Sequence, residues 1–235
     1  MKISGSTALV TGANRGIGRQ FARQLLERGA KKVYATARRP ELVDLPGVEV
    51  LQLDITDPTS VRAAASAAPD VTLLVNNAGI STGTNLVTGD LDTIRREMDT
   101  NYYGTLHMVR AFAPVLAASG GAILNVLSAM SWFAYDGANA YGAAKAAQWN
   151  LTNGIRLELA AQGTLVTGLH LGAADTDMMA DYNGPKVDPA EVVRAGLDGI
   201  EAGRFEVIVD EWSAHIKASL AADPSLFYTQ VPSAS

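Results

Sequence analysis

The sequence predicts an α/β fold, a mostly parallel sheet with helices on both faces, and three observations predict it. Short β-branched apolar runs alternate with longer helical stretches from one end of the chain to the other. The runs are continuously apolar rather than alternating, which is the pattern of strands buried on both faces. A glycine-rich turn joins the first run to the first helix, as in doubly wound (Rossmann) folds.

Each element follows from its residues. Thr7–Thr11 reads as a strand, and Gly16 to Arg28 as a helix that Gly29 closes. Lys32–Ala37 is a second strand and Val48–Leu53 a third, with only a short crossover containing Pro40 and Pro46 between them. Leu73–Asn76 is a fourth. Asp92 to Ala118 reads as one long helix, with Ile94, Met98, Tyr102, Leu106, Val109 and Phe112 at helical spacing. Ala122–Leu127 is another buried strand and Tyr141 to Ala161 another long helix. Leu165–Leu171, a helix near Asp188–Ala202, a strand near Glu206–Val209 and a helix from Glu211 complete the pattern. No repeat or linker divides it, so residues 1–235 are expected to form one domain, with an irregular tail after about residue 224.

Composition narrows the class. The 235 residues are 48% hydrophobic and 18% charged, the mix of a globular chain with a sizeable core. A net charge of -5 argues against a general nucleic-acid or membrane-surface binder. With no cysteine, thiol catalysis, disulfides and thiolate metal sites are excluded. His107, His170 and His215 show no ligand spacing, so no metal is expected and all three are read as structural. Neither a signal peptide nor a membrane-length apolar run is visible, and a cytoplasmic location is expected.

The first strand runs into Thr11-Gly12-Ala13-Asn14-Arg15-Gly16-Ile17-Gly18. Glycines let the backbone turn sharply and approach a phosphate, and the helix N-terminus behind them offers free N–H groups and a positive dipole end. The Gly-x-x-x-Gly-x-Gly spacing differs from the general dinucleotide fingerprint, and such a turn also serves as a plain strand–helix connection.

Here the chain resembles the short-chain dehydrogenase/reductase family, whose cofactor motif is Thr-Gly-x-x-x-Gly-Ile-Gly. The resemblance continues along nearly the whole chain. Asp54, followed by Ile55, stands after the third strand, where the family places an acidic residue against the adenine. Asn76-Asn77-Ala78-Gly79 follows the fourth strand and matches the family's Asn-Asn-Ala-Gly signature, which supports the sheet and lines the cofactor. Asn101, Ser128, Tyr141 and Lys145 fall where the family has its catalytic residues. The resemblance therefore implies an oxidoreductase using a nicotinamide cofactor.

The end of the second strand bears on which cofactor. An acid there would bond the adenosine ribose and repel a 2′-phosphate. The strand instead ends Thr36-Ala37-Arg38-Arg39, and Arg15 in the glycine turn is expected on the same side. A guanidinium suits a phosphate, and in the resembling family this combination goes with NADP(H). Solvated surface charge is the other reading of the arginine pair.

Tyr141 and Lys145 stand one helical turn apart on one face. A free phenol has a pKa near 10; a cation about 4 Å away at an effective dielectric of about 20 would lower it by roughly three units. Tyr141 is thus expected to act as acid and base near neutrality. Such a pair also occurs on ordinary exposed helices. Ser128, at the end of an apolar strand where α/β sheets bind ligands, supplies the context. The family resemblance gives Ser128 the substrate oxygen, Lys145 the ribose hydroxyls and Asn101 a water leading to solvent.

After the sixth strand the family has Pro-Gly, then Thr four residues beyond the glycine. Leu171 replaces the proline, while Gly172 and Thr176 keep the spacing, so Thr176 is expected near the nicotinamide carboxamide. The segment Asp177 to Asp188 is short for a substrate lid. Trp132, Phe133, Tyr135, Met178 and Tyr182 are candidate walls of the pocket, and Trp149 is expected in the core or a subunit interface. Pairing of the two long helices between subunits, as in the family, implies a homodimer or homotetramer.

The expected substrate is a small carbonyl compound or alcohol, its identity open among sugars, steroids, acyl thioesters, aromatic ketones and small aldehydes. A non-catalytic NADP(H) sensor on the same fold is the alternative; such a protein would be expected to lose Tyr141 or Lys145. Dehalogenating relatives lack the glycine turn and carry arginine for the lysine, and epimerising relatives are longer.

Overall fold

The computed structural model describes residues 1–229. Seven strands form one sheet in the order β3-β2-β1-β4-β5-β6-β7. They are β1 (Thr7–Thr11), β2 (Lys32–Ala37), β3 (Glu49–Gln52), β4 (Leu73–Asn76), β5 (Ala122–Val126), β6 (Leu165–His170) and β7 (Glu206–Ile208). Every pairing is parallel, as the continuous apolar runs predict. The strand order reverses between β1 and β4, and the crevice beyond their carboxyl ends is where such sheets bind ligands.

The helices are α1 (Gly16–Glu27), α2 (Pro58–Ala67), α3 (Leu91–Met98), α4 (Gly104–Ala117), α5 (Asn139–Glu158), α6 (Pro189–Glu201), α7 (Glu211–Ser219) and α8 (Pro224–Tyr228). Successive strand residues face opposite ways. Val10, Leu124 and Leu169 therefore meet Phe21 and Leu25 of α1 and Leu197 of α6 on one face. Leu9, Leu74 and Ile123 meet Met108, Phe112 and Leu116 of α4 and Ile155 of α5 on the other. Gly29, at φ 78°, ends α1 as expected: its N–H bonds the Leu26 carbonyl and the Ala30 N–H bonds that of Leu25. That pair of bonds satisfies carbonyls the helix end would leave orphaned.

Three expectations change. The helix read as continuous from Asp92 to Ala118 is interrupted by a π-helical turn, Asp99–Tyr103, between α3 and α4. Helix α2 is absent from the sequence reading; Asp57 caps it through the Thr59 N–H, but Val61 and Ala64 are its only buried side chains, too few for a visible apolar stripe. The tail is not irregular from residue 224, because Asp223 caps α8 and Phe227 packs against Phe133 and Trp212. Residues 230–235 of that expectation lie outside the described residues. No helix among the described residues is long and apolar enough to cross a membrane.

Candidate active site

The glycine turn is built against the segment that follows β4. Gly12 has φ +67°, and a Cβ there would come within 3.1 Å of the Ala78 Cα. At Gly18 an added Cβ would run into the Gly12 carbonyl, so glycine is required by close approach. The Thr11 hydroxyl accepts the N–H groups of Asn77 and Ala78, both at 2.9 Å, and the Asn77 amide donates to the Thr11 carbonyl at 2.9 Å. These bonds seat Asn77 and Ala78 beside Gly12.

Five helices are capped by aspartates, Asp57, Asp90, Asp188, Asp210 and Asp223. At α1 the capping residue is Arg15, whose side chain makes no capping bond, and the first turn holds no acid. The N–H groups of a helix start need partners, and here they open beside Gly16 with a positive dipole end. That donor set fits the pyrophosphate of a dinucleotide. Arg15 itself pairs with Asp177 at 2.9 Å.

Beyond β2 and β3, Arg38, Thr56, Arg96, Tyr103 and His107 line an open cavity of about 810 Å³. Its size and its arginines suit the adenosine end of the same ligand. Asp54 lies near it, but its carboxylate accepts the Thr56 N–H and hydroxyl, closing its own turn. His107 Nδ1 lies 3.2 Å from the Ile55 carbonyl.

The four candidate catalytic residues converge beside this turn. Ser128 lies two residues beyond β5, and its hydroxyl accepts the Met130 N–H at 3.1 Å. Tyr141 and Lys145 lie one turn apart on α5, with Lys145 Nζ 5.6 Å from the phenol ring centre. Asn101 sits fully buried in the π turn. A Cβ on Gly79 would lie 2.7 Å from the Asn101 Oδ1 and 3.8 Å from the Lys145 Nζ, so both heads meet over the segment that lines the glycine turn.

The expected depression of the phenol pKa is not what this geometry produces. Burial pushes the Tyr141 phenol up to about 12; the Ser128 hydroxyl pulls it down, and the Glu97 carboxylate pushes it further up. Burial brings Lys145 down to about 8, against the opposing charge of Glu97. The ammonium donates to the Val126 carbonyl at 3.0 Å and to the Gln148 amide oxygen at 2.8 Å. Desolvation is the largest influence on both groups.

The Asn101 amide is also fully partnered. It donates to the Ile80 carbonyl at 3.0 Å and to Glu97 Oε2 at 3.0 Å, while Oδ1 accepts the Ile80 N–H at 3.3 Å. The Asn101 carbonyl accepts the Thr105 hydroxyl, which accepts the Gln148 amide, whose oxygen holds Lys145. Glu97, Thr105 and Gln148 are missing from the sequence reading. Glu97 carries one usable signal: it lies four residues before Asn101, on the helical stripe that also holds Ile94 and Asn101.

Past β6, the turn lacking proline is tied otherwise: the Gly172 N–H donates to Asp210 at 2.8 Å, and Asp210 also caps α7. Thr176 rests on the glycine turn, its methyl 3.3 Å from where a Gly16 Cβ would be. Of the proposed pocket walls, Trp132 is buried, stacked on His170 and edge-on to Trp149. Phe133 packs on Trp212 and Phe227, while Met178 and Tyr182 are exposed.

The chain is similar in sequence and in fold to known proteins. Residues 6–186 match the family described as short chain dehydrogenase. Serine 3-dehydrogenase of Agrobacterium fabrum is 31% identical over 210 residues, 83% of this chain and 83% of that protein. NADPH-dependent 1-acyldihydroxyacetone phosphate reductase of Schizosaccharomyces pombe is 34% identical over 191 residues, 77% of this chain and 64% of that one. A short chain dehydrogenase from Burkholderia cenocepacia, crystallised in complex with NADP, superimposes with a TM-score of 0.95 at 40% identity, covering 100% of both chains.

Proposed function

The chain belongs to the short chain dehydrogenase family, and on that premise we propose that it transfers a hydride between NADP(H) and a carbonyl or alcohol carbon, with Tyr141 as the general acid and base. The observation that carries this reading is the meeting of Ser128, Tyr141, Lys145 and Asn101 at the carboxyl end of β5, beside the uncapped start of α1.

Gly12, Gly16, Ile17 and Gly18 would hold the pyrophosphate, Arg38 with Arg15 the 2′-phosphate, and Asp54 and Ile55 the adenine side. Asn77, Ala78, Gly79, Gly172 and Thr176 would flank the nicotinamide half, with Asn14 at the turn. The dinucleotide supplies the hydride when bound. In reduction, the Ser128 hydroxyl and the Tyr141 phenol donate to the substrate oxygen and stabilise its developing negative charge. A phenol held near pKa 12 is protonated at neutral pH, as a donor must be. Lys145, on the next turn of the same helix, would serve the ribose hydroxyls, and a proton taken up from solvent would return to Tyr141 through those hydroxyls and the ammonium. Oxidation is the reverse.

The 40% identical neighbour bound to NADP and the NADPH-dependent relative support the choice of NADP(H). Assembly as a homodimer or homotetramer through α4 and α5 is part of the same reading, supported by exposed Leu157 on α5. The test is a panel of ketones, aldehydes and alcohols followed at the reduced-nicotinamide absorbance band. We expect NADPH turnover with at least one class and loss of at least about a thousandfold in Tyr141→Phe with cofactor binding kept. Binding without turnover across the panel, or an active Phe variant, overturns the reading.

A further inference from the structure

Glu97 has no part in the chemistry so far, yet it is buried completely. A carboxylate in such a place is costly unless its oxygens are well bonded. Oε1 accepts the Thr82 N–H at 2.6 Å and the Thr82 hydroxyl at 2.7 Å; Oε2 accepts the Asn101 amide at 3.0 Å. No lysine, arginine or histidine lies within ion-pair distance of it among the described residues. Its charge is therefore left to act through the site.

The titratable groups that feel it are Tyr141 and Lys145, both on α5. The segment after Gly79 brings only Thr82 and main-chain groups, and Arg95, Arg96 and Asp99 on its own stretch of chain are exposed. The path from Glu97 toward Lys145 runs through Asn101, Thr105 and Gln148. Two links in it are amides with fixed donor and acceptor ends. Such a path orients groups and does not conduct protons.

Resting on the proposed reaction, we propose that Glu97 is its positioning residue: it clamps the Asn101 amide to the Ile80–Thr82 segment and sets the negative field in which Tyr141 and Lys145 hold their protons. A fixed negative charge favours the protonated phenol and ammonium. Glu97 acts with this sign on both groups, raising the proton affinity of Tyr141 and of Lys145.

The experiment compares wild type with Glu97→Gln, Glu97→Asp and Glu97→Met. The pH dependence of kcat/KM is measured, and so is the tyrosinate ultraviolet titration, with Tyr141→Phe variants identifying the Tyr141 signal. Removing the charge in the Gln or Met variant is expected to move the Tyr141 titration down by about one pH unit. The kinetic limb should move the same way in either reaction direction, with NADPH affinity within about threefold of wild type. Asp, which keeps the charge, should titrate close to wild type. An unshifted tyrosinate titration in folded Gln or Met variants overturns the proposal, as does failure of both to fold while Asp folds, which would make the role structural alone. The spectroscopic arm needs no turnover, so it stands even where the substrate panel overturns the proposed reaction.

Discussion

Arg15 Nη1 and Asp177 Oδ2 lie 2.9 Å apart, so the residue that starts α1 is bound to the turn that follows Thr176. The pair joins the glycine turn to the segment after β6 at their solvent edge, with side chains 65% and 73% exposed. At that exposure it adds about 0–1 kcal/mol to stability, and its larger effect is on the guanidinium's availability.

Asp177→Asn therefore should leave the melting temperature within about 2 °C of wild type. With the competing carboxylate gone, NADPH should bind about threefold or more tightly while NADH changes little. Titration calorimetry with both cofactors checks this; equal changes for the two would show that Asp177 does not compete with the 2′-phosphate.

Arg38 lines the cavity beyond β2 without an ion-pair partner among the described residues. Charge-assisted bonds to a phosphate are worth about 1.5–3 kcal/mol. Arg38→Ala should then weaken NADPH about tenfold or more and leave NADH within a factor of about two. A uniform loss for both cofactors would remove Arg38 from 2′-phosphate recognition.

Asp210 holds the turn after β6 and the start of α7 together, bonding the N–H groups of Gly172 and Ser213 at 2.8 Å each. Asp210→Ala should cost about 1–2 kcal/mol through the lost cap, a fall of roughly 2–8 °C in melting temperature for a chain of this size. KM should rise, because Gly172 leads into Thr176. Thermal unfolding equal to wild type would show that the turn is stiffened elsewhere.

His170 is buried, with Nδ1 3.2 Å from the Ser128 carbonyl, and its ring is stacked on Trp132. Burial pushes its pKa down from 6.5 to about 3. The folded state thus refuses a proton that the unfolded chain takes up below about pH 6.5. Stability from this group is fully present above that pH and falls as pH drops toward 3, by roughly 3 kcal/mol at pH 4. Urea unfolding at pH 7 and pH 4 should show His170→Gln losing less on acidification than wild type; identical losses would contradict it.

Much of the site was legible because its parts are local. The glycine turn, the Asn76–Gly79 segment and the Tyr141–Lys145 pair each need only a few consecutive residues at a set spacing. Strand positions were legible for a similar reason, since β1, β2 and β4 are buried on both faces and read as unbroken apolar runs. Strand β3 was harder: only a short 3-10 turn, Pro40–Leu42, lies between it and β2, and most of its residues are exposed.

By itself the sequence determined the order of the strands along the chain, the glycine turn and the residue types proposed to move a hydride's companion proton. Only the tertiary structure decided the proton affinities of Tyr141 and Lys145, because these depend on burial and on a carboxylate, Glu97, contributed by a different helix. The π turn that buries Asn101, the Asp210 tie to Gly172 and the pairing of Arg15 with Asp177 have the same origin. Periodicity records what one element does to its own residues. Desolvation and charge act across whatever distance the fold leaves between elements, and that distance is set when the chain packs.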